Sequence, residues 1–206
     1  QVWLWRVSDG VLLRSEGNGF GSAVSVDFFP DGATLLSAIY QAHALWETLQ
    51  YWSVPDLAPA GGIGWINGAV VSARFFWYPH RFFGGIVAAY GIVDRILIRN
   101  PHSGNLLESC PAPASEISSI FCRPNHLVAV TKVSHSHVVL WEWDDNVNMY
   151  RLRASMYEVL FYFNSVITTD DIFGLSVSAG ASNGFIYCYR YNYNSGRLNY
   201  VGRQWA

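Results

Sequence analysis

The 206-residue chain is 51% hydrophobic and 16% aromatic, only 14% charged, and carries a formal net charge of −2. Without any Lys/Arg run, that balance excludes a sequence-independent nucleic-acid surface, which needs clustered cations. So few charges, against roughly 25% in ordinary globular chains, require strands buried on both faces or a place in lipid.

A membrane-spanning helix is excluded by run length. Phe82 to Val93 (FFGGIVAAYGIV) is twelve residues closed by Arg81 and Asp94, whereas a spanning helix takes about twenty. The opening QVWLWRVSDG has no basic region leading into a long apolar core, so it does not read as a signal peptide. Cys110, Cys122 and Cys188 are odd in number, widely spaced and free of any Cys-x-x-Cys. They read as reduced core residues of an intracellular, cytoplasmic protein.

In chain order, the first elements are two strands around Ser8-Asp9-Gly10, then Val24 to Ala38 (VSVDFFPDGATLLSA). In the latter an alternating run meets a Pro-Asp-Gly turn and leaves into a second apolar run, which is a hairpin signature. Tyr40 to Gln50 (YQAHALWETLQ) is the best helical candidate, a short inserted turn; elsewhere helix is expected to be close to nil. Strand-like segments continue as QYWSVPDL, VVSARFFWY, ILIRNPHSG, ISSIFCRPN, VVLWEWDD, EVLFYFNSV and IYCYRYNYNSG.

These segments repeat. Aligned on Trp5, Trp52, Arg99, Trp141 and Tyr189, the copies fall 47, 47, 42 and 48 residues apart. A period in the forties with four short strands per unit marks a β-propeller blade. The stretch Val2 to Pro55, with its Leu-Trp strand end, Ser-Asp-Gly turn, SVDFFPDGATLLSA pair and Tyr-Trp-Ser strand end, resembles a WD repeat, as does SAGASNGFIYCY near the end. No unit carries Trp-Asp itself: the pairs are Trp5-Arg6, Trp52-Ser53, Arg99-Asn100, Trp141-Glu142 and Tyr189-Arg190. Gly17-Asn18 stands where the family has Gly-His, and Asn183 where it has Asp, so the family's Asp-His-Ser-Trp network is complete in no unit.

The expected fold is all-β and propeller-like: about four blades plus a half blade, or a segment of a larger propeller. The units divide approximately as 1–16 (partial), 17–60, 61–110, 111–153 and 154–206, giving about eighteen strands.

Motifs with chemical overtones have plainer readings here. Gly180-Ala181-Ser182-Asn183-Gly184 fits G-x-S-x-G, but a nucleophile elbow leads into a helix, and FIYCYRY reads as a strand. Gly17-x-Gly19-x-Gly21 and Gly62-x-Gly64-x-x-x-Gly68 also precede strand-like sequence, so no helix N-terminus would receive a phosphate. His135 and His137 stand two apart near Lys132, and Cys122 precedes His126 by four; neither has a third metal ligand at diagnostic spacing. No cofactor or metal is expected.

Trp5, Trp52 and Trp141 read as core aromatics, while Trp46 and Trp65 fall in expected connections and become contact candidates. The resemblance implies a non-catalytic scaffold that presents loops on one face of the disc to a protein or peptide. The candidate partner-binding residues are Phe20, Tyr40, His43, Trp46, Trp65, Asn67, Arg95, His135 and His137. The rivals are a small-ligand or hydrolytic propeller and a structural segment of a larger assembly. A strand count that is not a multiple of four implies self-association through open propeller edges.

Overall fold

The computed structural model describes residues 1–16, 22–40, 46–67, 70–79, 85–92, 94–112, 116–132, 136–158, 163–171 and 174–205. Among these residues the chain forms eighteen β-strands and no helix. A two-stranded sheet, β1 (Val2–Arg6) and β2 (Val11–Glu16), comes first. Four four-stranded antiparallel sheets follow, each built from consecutive strands. They comprise β3 (Ser22–Phe28), β4 (Thr34–Tyr40), β5 (Trp46–Ser53) and β6 (Pro59–Asn67), then β7 (Ser72–Tyr78), β8 (Gly85–Ile92), β9 (Arg95–Arg99) and β10 (Leu106–Pro111). The third has β11 (Ile117–Arg123), β12 (His126–Thr131), β13 (Ser136–Asp144) and β14 (Met149–Glu158). The last has β15 (Phe163–Asp171), β16 (Gly174–Ala181), β17 (Phe185–Asn192) and β18 (Arg197–Trp205). The architecture is propeller-like, with four full blades and one half blade.

The five sequence anchors are structurally equivalent. Trp5, Trp52, Arg99, Trp141 and Tyr189 lie on β1, β5, β9, β13 and β17, and each immediately follows a register shift against the next strand. A bulge re-aims the side chains beyond it. Its recurrence at the anchor identifies β1 and β2 as the third and fourth strands of a blade.

Face-to-face burial joins the blades, as the low charge content requires. Val2 and Leu4 of the half blade pack on Leu35, Ile39, Trp52 and Leu57. Leu36, Leu49 and Tyr51 meet Ala73 and Phe75 of the second full-blade sheet. That sheet gives Phe76, Tyr78, Ile96 and Ile98 to a cluster with Ile120, Leu127 and Trp141. Val128, Val130, Val138 and Leu140 then cover Phe163, Val177 and Tyr189. The alternation within each strand thus serves two cores, and each large aliphatic buried contributes about 1.5–3 kcal/mol.

Three expectations are corrected. Tyr40 to Gln50 holds no helix among its described residues: Tyr40 closes β4 and Trp46 to Gln50 open β5. Two flanking strands and the alternating burial of Leu49 and Tyr51 override the local helical preference. Trp46 and Trp65 lie in β5 and β6, within strands. Finally, the approximate boundaries at 60/61, 110/111 and 153/154 fall inside β6, β10 and β14, the fourth strands of their sheets.

Candidate functional site

In every full sheet the second strand runs to one end of the disc, turns, and returns as the third; the fourth strand ends at that same level. Tyr40 therefore ends β4 where Trp46 begins β5, and Trp46 pairs in register with Asn67 at the end of β6. Trp65 lies two residues short of that end. Arg95 opens β9, and His137 is the second residue of β13. These six candidates thus share one end of the structure. Phe20, His43 and His135 lie outside the described residues.

Described polar contacts lie at this end in the second and third full sheets, while Phe185 and the exposed Trp205 stack on each other in the last. Arg95 donates from Nε and Nη2 to the two carboxylate oxygens of Asp94, at 2.8 and 2.7 Å. That fork holds the Asp94 carboxyl below the usual carboxylate range. Lys132 Nζ lies 2.7 Å from Glu116 Oε1, and the His137 N–H donates to Thr131 Oγ1 at 2.9 Å. Both ion pairs are solvated, so they contribute little to stability, typically about 0–1 kcal/mol each. Sequence reasoning did not select Glu116; Lys132 beside it was the available signal.

A second feature lies along the axis. The first strands touch in succession, β3 with β7, β7 with β11, and β11 with β15. Side chains stitch them together. Ser25 Oγ accepts from the Ala73 N–H and from Arg74 Nη1, both at 3.1 Å. Asp27 Oδ2 accepts from the Phe75 N–H at 2.8 Å, and Ser118 Oγ donates to the Phe163 carbonyl at 2.6 Å. Burial raises the Asp27 pKa, partly offset by the Phe75 amide and Arg74. Between these strands and β1 opens a cleft of about 830 Å³, with Trp3, Leu4, Val26, Phe28, Arg74 and Ser118 among its walls. None of these was a sequence candidate. The two-strand excess at the N-terminal end was the signal that could have found the cleft.

One buried acid ties two blades. Glu108 on β10 accepts from Tyr78 Oη at 2.8 Å and, across the blade boundary, from the Tyr150 N–H at 2.6 Å. Burial pushes its pKa up despite these bonds. The Cys110 thiol, beside it, is also pushed upward by burial and by the Glu108 charge, which disfavours its thiolate.

Ser182 occupies the short turn between β16 and β17, where Gly184 N–H bonds back to the Ala181 carbonyl at 3.1 Å. A strand follows it, so the raised serine of a nucleophile elbow is not built here. Among the described residues no group of three His, Cys, Asp or Glu side chains is arranged to hold a metal, and no helix is long and apolar enough to cross a membrane.

No family model and no curated protein matches the chain. Among solved structures, the chain is similar to the computationally designed Ika4 protein, a designed β-propeller, with a TM-score of 0.61 and 14% identity. The match covers 85% of this chain and 94% of that one. At that identity the likeness concerns the fold: repeated four-stranded antiparallel blades.

Proposed function

We propose that the chain is a non-catalytic, WD-repeat-like interaction module whose loop-bearing end receives a protein or peptide. The observation that carries this reading is the convergence of Tyr40, Trp46, Trp65, Asn67, Arg95 and His137 at one end of the sheets. Loops held by a rigid scaffold are where binding residues concentrate. Support for the WD-like assignment comes from the first full blade, where Trp52 Nε1 donates to Ser37 Oγ at 2.7 Å in the buried core. That is the Ser–Trp half of the network the resemblance implies. The free thiols of Cys110, Cys122 and Cys188 agree with a reducing, cytoplasmic compartment.

Self-association belongs to the same reading. Trp3 and Trp5 are exposed on one end face of the arc, and Ile167 on the other. Uncovered apolar faces of this kind associate, and light scattering across a dilution series measures it. The module itself is tested by panning a displayed peptide library against the full chain. Enriched peptides should lose at least tenfold in affinity for Arg95→Ala/His137→Ala. Peptides that ignore this double change, or labelling by a serine-reactive fluorophosphonate that vanishes in Ser182→Ala, would contradict the proposal.

A further inference from the structure

Glu108 is an acid that its place in the fold does not require. In every sheet one residue of the fourth strand lies opposite the residue just before the bulge. In the full sheets these pairs are Tyr51 with Gly61, Ile98 with Glu108, Leu140 with Ala154 and Cys188 with Gly202. The other three full sheets thus fill the position with glycine or alanine, and burying a carboxyl there carries a cost they avoid.

The surroundings of Glu108, which is 9% exposed, are closed and neutral. Its Oε2 accepts from Tyr78 Oη on β7 at 2.8 Å, while Oε1 accepts from the Tyr150 N–H on β14 at 2.6 Å and faces Cys110 Sγ at 3.7 Å. Cys122 of β11 and Trp143 of β13 belong to the same buried cluster. The Trp143 ring packs edge-on against Tyr78 at 5.4 Å and against Tyr150 at 5.2 Å. The other titratable side chains on the strands packed here are engaged elsewhere. Arg74 of β7 donates to Ser25, Arg99 of β9 to the Gly104 carbonyl, and Arg123 of β11 to the Thr168 carbonyl. His126 of β12 bonds the Tyr193 hydroxyl, and Arg151 and Arg153 of β14 pair with Asp144 and Glu142 of β13. The groups holding Glu108 are therefore two tyrosines and a thiol, none of them a cation.

The tie lies at the outer end of a seam. The strand orders put β7 and β11 innermost in their sheets and β10 and β14 outermost. β11 touches β7 and β8, and β10 touches β14. Parting the two sheets at the perimeter, about the inner contact, would break the bond from Tyr150 and bring water to the carboxyl. Water favours the ionised form and burial disfavours it, which raises the Glu108 pKa in the closed seam despite its hydrogen bonds.

We propose that Glu108 is a proton-controlled latch: protonated, it keeps the perimeter between the second and third full sheets closed, and ionised, it favours a local opening there while the inner strands stay in contact. The opening uncovers the Tyr78, Trp143 and Tyr150 rings. The device is separate from the loop-bearing end. Its sign follows from linkage. The opening equilibrium is level below the ordinary carboxyl value of 4.5, rises above it by up to about tenfold per pH unit, and levels off once the closed form also ionises.

The test is residue-resolved amide hydrogen exchange of the full chain from pH 4 to 8, read as protection factors so that the intrinsic pH dependence of exchange is removed. The Tyr150 amide should lose protection up to about tenfold per pH unit and then level off. Low urea should change it little, because a local opening exposes little surface. Val139, on a strand paired along both edges, should stay at least a hundredfold better protected and lose protection steeply with urea. Glu108→Gln should hold the Tyr150 protection level across the range, and an equal fall in that variant would overturn the proposal. If the variant does not fold, the unaltered chain decides. Tyr150 protection that is flat from pH 4 to 8, or that equals that of Val139 in size and urea dependence, would overturn the latch.

Discussion

Trp5 and Trp141 occupy the same position in their blades, one residue beyond the same bulge, yet Trp5 is 50% exposed and Trp141 only 1%. The difference is entirely in their neighbours. Trp141 has β12 along its inner edge and a preceding blade against its face, while among the described residues Trp5 has neither. Local sequence fixes the strand and the bulge; burial comes from the sheet before it. A propeller blade is therefore half a core, and stability is shared between neighbours rather than owned by a repeat.

The comparison can be broken by truncating both anchors. Trp141→Ala should destabilise the chain by about 3–5 kcal/mol, the cost of emptying a buried aromatic site. Trp5→Ala should cost under about 1 kcal/mol, since a half-exposed side chain has little burial to lose. Urea denaturation of the two variants measures the difference. Equal losses would mean that the half blade is covered.

Ties between blades sharpen the same contrast. Glu108→Ala leaves the Tyr78 hydroxyl and the Tyr150 amide without their acceptor, at a cost of about 2–3 kcal/mol. The pH dependence has a definite sign. Burial raises the Glu108 pKa above its ordinary 4.5, so between the unfolded and folded values the native state binds the extra proton. Stability from this group is full below 4.5 and is lost as pH rises through the folded value. Glu108→Gln, which cannot ionise, should flatten that loss in a series of denaturation curves from pH 4 to 8. A steeper fall with pH in the variant would contradict the assignment.

The smallest expected effect lies in the first full blade. Ser37→Ala removes the acceptor of the buried Trp52 indole N–H, worth about 1–3 kcal/mol. Ser53→Ala, whose hydroxyl bonds the Ala58 carbonyl at an exposed turn, should stay within about 0.5 kcal/mol.

Much of the architecture was legible because the repeat is carried by residues that structure requires. Pro30-Asp31-Gly32 turns the chain between β3 and β4, with Gly32 at a φ of 70° and the Asp31 carboxylate accepting from the Ala33 N–H. Trp52, Trp141 and Tyr189 mark the third strands because they fill the seam toward the preceding sheet. The strand nature of Trp46 to Gln50 was not legible: its residues tolerate a helix, and only pairing with β4 and β6 decides the matter. Nor was Glu108 legible, since a lone acid in LLESCP shows nothing of the Tyr150 amide it accepts from, 42 residues later. The cleft was half legible. The excess of two strands announced a missing inner half, but exposure of Val26 and Phe28 is a relation between sheets that no local pattern records.

The central claim is that β1 and β2 are the outer half of a blade in which no described strand lies along the inner edge of β1. Residue-resolved amide hydrogen exchange of the free chain, at a concentration where light scattering shows monomer, tests it most directly. Alternate amides of β1, those turned away from β2, should exchange at least a hundredfold faster than the amides of β13, which is paired on both edges. Uniform protection along β1 equal to that of β13 would contradict the account, because a strand would then already lie along that edge.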